Sequence, residues 1–208
     1  GDGKDEYWGG MRAETGRTDG IDTVDYNAAA NGISITVGGT ITATTTVQDG
    51  GGGTDSLHSI ERIIGSAHGD TLTFTALNST IAGAFDWIDL GSGTDTIDVS
   101  GLSGAVTVDL RVAASQEVIF GGVTFHISNA EGAVGGGGND TFYYPNGSVV
   151  TAMAGDGNDT FYLAGSGHSV SGGDGHDILN LSLVITGSRI DMGSSSTRVG
   201  SGTSTCDS

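Results

Sequence analysis

The sequence predicts an all-β chain wound as a solenoid of short strands. Two observations carry this. Glycine is abundant (39 of 208 residues) and proline nearly absent (one), and the glycines separate short runs rich in Val, Ile, Thr and Phe. Such runs favour strands, and glycines spaced between them favour turns. The second observation is a recurring nonapeptide: GGGGNDTFY (Gly135–Tyr143), AGDGNDTFY (Ala154–Tyr162) and GGDGHDILN (Gly172–Asn180). Repetition at a fixed period marks coils that bury their apolar residues against neighbouring coils. No amphipathic helical run of ten or more residues stands out.

Each nonapeptide reads G-G-x-G-x-D-x-U-x, with U a large apolar residue. Asp140, Asp159 and Asp177 are 19 and 18 residues apart, about two nonapeptides, so the three turns are expected to stack along one edge. Close-spaced glycines reach positive φ and bring backbone carbonyls near a common point. The aspartate at position six adds a short, hard oxygen ligand. Calcium takes six to eight oxygens at roughly 2.3–2.6 Å, which carbonyls and carboxylates supply. Positions seven to nine then read as a short strand whose eighth residue points inward: Phe142, Phe161 and Leu179.

Taken in order, the chain opens on GDGKDEYW (Gly1–Trp8), the same motif lacking its first position, with Asp5 at position six. Opening inside a repeat is expected of a piece of a longer protein. A degenerate copy keeps Asp22, and further motifs place Asp55, Asp70 and Asp95 at position six. A larger repeat underlies these. DTVDYNAAANGISITV (Asp22–Val37) aligns without gaps to DTIDVSGLSGAVTVDL (Asp95–Leu110), and ERIIGSAHGDTL (Glu61–Leu72) to EGAVGGGGNDTF (Glu131–Phe142). The chain thus reads as a first irregular unit (1–89), a second unit (90–191) with its regular repeats at 135–180, and a polar Ser/Gly/Thr tail (192–208). The long gaps between motif aspartates require extra strands or looped-out segments such as Arg111–Asn129.

Charge narrows the function classes. Lys and Arg total 7 against 25 Asp and Glu, a formal charge of −18, and 20 of the acids are Asp. Tight metal-binding turns favour the shorter carboxylate. Self-repulsion is expected to loosen the metal-free form, and cations to relieve it. Nucleic acid and anionic membrane surfaces are poor partners for such a chain. No apolar run is long enough to span a membrane, and no N-terminal signal pattern is present. The single cysteine, Cys206, rules out an internal disulfide, so bound metal is the expected staple.

These residues resemble the RTX, or haemolysin-type, calcium-binding repeat family. The stretch DSLHSIERIIGSAHGDTLT (Asp55–Thr73) also looks like the spacer between such repeats. The resemblance covers most of Gly1–Asn180, in good form only in the last third. It implies a right-handed parallel β-roll and a secreted or cell-surface bacterial protein exported by a type I secretion machinery. It further implies that Asp140 and Asp159 share one calcium and Asp159 and Asp177 a second. Carbonyls would come from Gly136, Gly138, Gly155, Gly157, Gly173 and Gly175, and Asp5 with Asp22 would make a third site. Because the opposite edge of the last coils lacks the position-six Asp, calcium is expected mainly along one edge.

Competing motifs are weaker. An EF-hand loop counted from Asp156 or Asp174 ends on Gly167 or Ile185, where a Glu is needed. No H-E-x-x-H or P-loop pattern is present, and His58, His68, His126, His168 and His176 lack ligand spacing. Asp25, Asp98, Glu61 and Glu131 recur in the duplicated unit and read as structural or calcium-related rather than catalytic. The cluster Phe85-Asp86-Trp87-Ile88 reads as local core. The expected function is a non-catalytic calcium-binding segment that folds after export. Two alternatives are kept: part of a secreted polysaccharide-active β-helix enzyme or hydrolase tail, and a structural stalk or surface-array segment touching glycans or neighbouring copies.

Overall fold

The structure is a computed structural model and describes residues 5–8, 21–38, 45–58, 60–75, 87–145, 151–164, 168–183 and 198–199. The opening Gly1–Lys4, Phe85 and Asp86, and nearly all of the tail with Cys206 lie outside the described residues. Within them the chain is all-β, with no helix. The first strands are β1 (Glu6–Trp8), β2 (Thr23–Asp25), β3 (Ser34–Val37), β4 (Thr45–Gln48), β5 (Thr54–His58), β6 (Arg62–Ile64), β7 (Thr71–Phe74) and β8 (Trp87–Asp89). Next come β9 (Thr96–Asp98), β10 (Val106–Asp109), β11 (Gln116–Phe120), β12 (Val123–Ser128), β13 (Gly132–Val134) and β14 (Thr141–Tyr143). The last are β15 (Thr151–Asp156), β16 (Thr160–Ala164), β17 (Ser169–Asp174), β18 (Ile178–Leu183) and β19 (Arg198–Val199).

They form two mostly parallel sheets. The nine-stranded sheet has the order β1-β5-β4-β3-β7-β9-β13-β15-β17, and the ten-stranded sheet β19-β18-β16-β14-β10-β11-β12-β8-β6-β2. From β13 to β18 the chain alternates between them, one strand in each. Glycine-rich turns carry the chain from β13, β15 and β17 into the ten-stranded sheet, and β-branched or aromatic residues extend the backbone in the strands.

The inner faces share one core. Ile35, Leu72, Ile97, Ala133, Ala152 and Val170 lie in register across the nine-stranded sheet. Val108, Phe142, Phe161 and Leu179 do so across the other. All belong to a single buried cluster. The position-eight reading is therefore borne out: Phe142, Phe161 and Leu179 are buried, and Phe142 and Phe161 stack with ring centroids 5.2 Å apart. Full burial of each such side chain contributes about 1.5–3 kcal/mol, and an aromatic pair adds about 0.5–1.5 kcal/mol. On the outer face Tyr143 and Tyr162 stack at 4.6 Å, with the Arg111 guanidinium 4.5 Å over Tyr143. Trp87 is half-buried, its indole N–H donating to Ser128 Oγ at 3.0 Å, while Ile88 is in the core.

The internal repeat of the sequence recurs in the hydrogen bonds. Ile33 N–H donates to Asp70 Oδ1 at 2.8 Å, as Val106 N–H does to Asp140 Oδ1 at 2.9 Å. Asp22 N–H donates to Glu61 Oε2 at 3.1 Å, as Asp95 N–H does to Glu131 Oε2 at 2.8 Å. Each copy also carries one antiparallel insertion, β3-β4-β5 and β10-β11-β12. Arg111–Asn129 is therefore not looped out. Its β11 and β12 lie within the sheet, and the buried Gln116 amide holds the Ala130 backbone in a pair of 2.8 Å hydrogen bonds. The two copies use the sheets in opposite senses. β2 and β6 belong to the ten-stranded sheet, whereas their counterparts β9 and β13 belong to the nine-stranded one.

Candidate metal centre

The motif aspartates form columns. Within each column the acids sit just before a strand, and the backbone N–H of one acid donates to the carboxylate of the acid one coil further on. Asp140 N–H donates to Asp159 Oδ1 at 2.7 Å, and Asp159 N–H donates to Asp177 Oδ1 at 3.0 Å. These three lie where the chain enters the ten-stranded sheet. A second column lies where the chain enters the nine-stranded sheet. There Asp70 N–H donates to Asp95 Oδ1 at 2.7 Å, and Asp95 N–H to Glu131 Oε2 at 2.8 Å. The turns of the first column run from β13, β15 and β17 into the ten-stranded sheet; those of the second run from β6, β8 and β12 into the nine-stranded one. The columns thus occupy opposite crossings. The last coils carry their acids at one crossing, whereas Asp70, Asp95 and Glu131 lie at the other, because the duplicated unit changes sheets.

The middle acid of each column is distinct. Asp95 and Asp159 are fully buried, and the Oδ2 atom of each has no hydrogen-bond partner. Turn geometry explains why. In the Asp70 turn, Ser66 N–H closes onto Asp70 Oδ2 at 2.7 Å; in the Asp140 turn, Gly136 N–H closes onto Asp140 Oδ2 at 3.0 Å. In the middle turns that position is a glycine at positive φ, Gly91 (+85°) and Gly155 (+104°). Gly91 N–H points instead to Asp89 Oδ1, at 3.0 Å. One carboxylate oxygen is left over. Leaving a buried acceptor unpaired costs about 1–3 kcal/mol, more when it is charged.

Electrostatics agree with this geometry. Burial pushes the Asp159 carboxyl up to about 6, with Asp140, Asp177 and Asp156 adding to the effect. Asp95 is pushed up to about 7 by burial, with Asp70, Glu131 and Asp89 adding. Asp140 is also raised by burial, against hydrogen bonds from Gly136 and Val106 that pull it down.

The turns of the first column are stacked closely. A Cβ on Gly155 would collide with the Gly136 carbonyl, and one on Gly173 with the Gly155 carbonyl. The Gly138 and Gly157 carbonyls are likewise covered by Gly157 and Gly175. Asp156 N–H already donates to Gly136 O at 2.9 Å. An asparagine ladder runs beside the first column: Asn158 N–H donates to Asn139 Oδ1 and His176 N–H to Asn158 Oδ1, both at 2.8 Å. Among the described residues no three His, Cys, Asp or Glu side chains converge on one point. A cation here would therefore take one unpaired carboxylate oxygen and otherwise backbone oxygens. That donor set is all hard oxygen and fits calcium rather than a nitrogen- or sulfur-seeking metal.

No protein-family model matches the chain, and no curated protein matches it.

Three of the sequence-derived site residues fall elsewhere. Asp5 and Asp22 do not make a joint site, since they precede β1 and β2, which lie in different sheets. Asp5 N–H donates to Asp55 Oδ1 at 3.1 Å, while Asp22 lies beside Glu61. The spacing of 17 residues is thus a change of sheet and not a return to the same one. Asp55 follows a hairpin loop between antiparallel β4 and β5, where the Asp49 carboxylate accepts Gly51 and Gly53 N–H at 2.8 and 3.0 Å. Both Asp55 oxygens are engaged, Oδ2 by the Tyr26 hydroxyl at 3.0 Å. Among the histidines, His168 is buried, and its Nε2 lies 2.8 Å from Ala164 O.

Proposed function

We propose that this chain is a non-catalytic, calcium-binding β-roll segment whose coils close as cations enter the carboxylate columns. The observation that carries the reading is Asp159 Oδ2: buried, unpaired, and flanked in register by Asp140 and Asp177. Asp159 would supply the carboxylate oxygen, and the stacked turn carbonyls around Gly136, Gly138, Gly155, Gly157, Gly173 and Gly175 the rest. Asp95, between Asp70 and Glu131, would take the same part at the opposite crossing. The resemblance to RTX repeats supports the right-handed roll, a secreted or surface-exposed parent protein, and type I export.

Bound calcium would offset the like-charge repulsion that a formal charge of −18 imposes on the compact state. Extracellular sites commonly have Kd on the order of 10⁻⁴–10⁻³ M, which leaves them empty in calcium-poor cytosol. A site at a hundred times its Kd contributes about 2.7 kcal/mol, a large part of an ordinary domain's stability of roughly 5–15 kcal/mol. Calcium stoichiometry in a calorimetric titration tests the assignment. Asp159→Ala should remove binding equivalents at the first column. Unchanged stoichiometry in that variant would remove Asp159 from the site.

A further inference from the structure

A second site lies away from both columns, where the edge strands of the two sheets meet. β1 is the edge of the nine-stranded sheet and β2 the edge of the ten-stranded one. Between them opens a cavity of about 460 Å³, within the range of small-molecule sites. Its walls combine the tyrosines Tyr7 and Tyr26, the apolar Val24 and Ala28–Ala30, and three carboxylates, Asp25, Asp49 and Asp55. The residues lining it include no Lys, Arg or His.

Asp49 is the informative member. It is 8 % exposed, and Oδ1 is held by the Gly51 and Gly53 N–H groups. Its Oδ2 is buried without a partner. Hydrogen bonds from the loop, that of Gly51 first, hold this carboxyl below the usual carboxylate range, so it is ionised at neutral pH. Asp55, on the strand that follows the same loop, is committed to Tyr26 and Asp5. The pocket thus presents one fixed, unpaired anion beside two aromatic rings and a short apolar wall.

We infer that this cavity binds a primary ammonium group carried on an aliphatic chain or sugar ring. The cation would pair with Asp49 Oδ2, and aromatic side chains favour a cation placed against them. The methylenes or ring carbons would lie along Val24 and Ala28–Ala30. The calcium reading gives no account of this site.

Calorimetric titrations of the calcium-loaded chain with cadaverine and with glucosamine test the inference, with 1-pentanol and glucose as the uncharged counterparts. At least one amine should bind more tightly than its counterpart, and Asp49→Asn should weaken it by about tenfold or more. Ala28→Leu, at an exposed residue of the wall, should block the cavity and gives the same readout if Asp49→Asn does not fold. Binding of cadaverine alone assigns an aliphatic amine, and of glucosamine alone an amino sugar. The inference is overturned if neither amine outbinds its neutral counterpart, or if Asp49→Asn and Ala28→Leu both bind like the parent chain.

Discussion

Asp140 and Asp159 are joined by a 2.7 Å hydrogen bond from the Asp140 backbone N–H to Asp159 Oδ1, and this leaves Asp159 Oδ2 buried and unpaired. One oxygen therefore holds two coils together while the other remains open to a cation. Asp95 repeats the arrangement at the opposite crossing, between Asp70 and Glu131.

Asp159→Asn separates these two jobs. The amide oxygen keeps the acceptor for Asp140 N–H, and the buried charge is gone. In chelator the variant should hold more strand structure than the parent chain; in calcium it should gain less. Far-ultraviolet circular dichroism in both conditions reads the crossover. A variant that gains as much from calcium as the parent would contradict the assignment.

Acid should partly replace calcium. Asp159 and Asp95 are raised to about 6 and about 7, against about 3.9 for an unfolded Asp. Between those values the folded chain binds more protons than the unfolded one, so stability falls as pH rises through that window. Metal-free protein should therefore gain strand content as pH is lowered from about 7 to about 5. With calcium bound, the ionised form is favoured and this dependence should vanish or reverse.

Gly155→Ala should destabilise the calcium-loaded chain by about 1–3 kcal/mol, read as a lower urea midpoint. Gly155 has φ +104°, and an added Cβ would meet the Gly136 carbonyl. Gly52→Ala is a milder comparison: its φ is also positive (+103°), but no atom stands within 4 Å of the added carbon.

Because the two columns lie at opposite crossings, their losses should add. Asp95→Asn and Asp159→Asn together should lower calcium stoichiometry by the sum of the single effects. A double variant no worse than either single variant would place both acids in one site.

Much of this was legible in residue spacing. The 19- and 18-residue steps gave the stacking of Asp140, Asp159 and Asp177, and position eight gave the inward Phe142, Phe161 and Leu179. The gapless repeat pointed to the equivalence of Glu61 and Glu131. Spacing alone carries no information on which sheet a strand joins, so it pairs Asp5 with Asp22 although they precede strands in different sheets. It also does not distinguish a crossing turn from a hairpin. GGGGTD, which runs into β5, matches the motif, yet antiparallel β4 sets its register and Asp49, outside the motif, organises the loop. Spacing does not reveal Tyr26, whose partner Asp55 lies 29 residues away, nor Asp49, whose partners Gly51 and Gly53 belong to a hairpin loop.

Circular dichroism during a calcium titration, started in chelator at neutral pH, tests the central claim most directly. Strand content should be low in chelator and rise as calcium is added, saturating in the millimolar range expected of extracellular sites, on the order of 10⁻⁴–10⁻³ M. A chain already rich in strand in chelator, and unchanged by calcium, would contradict the account.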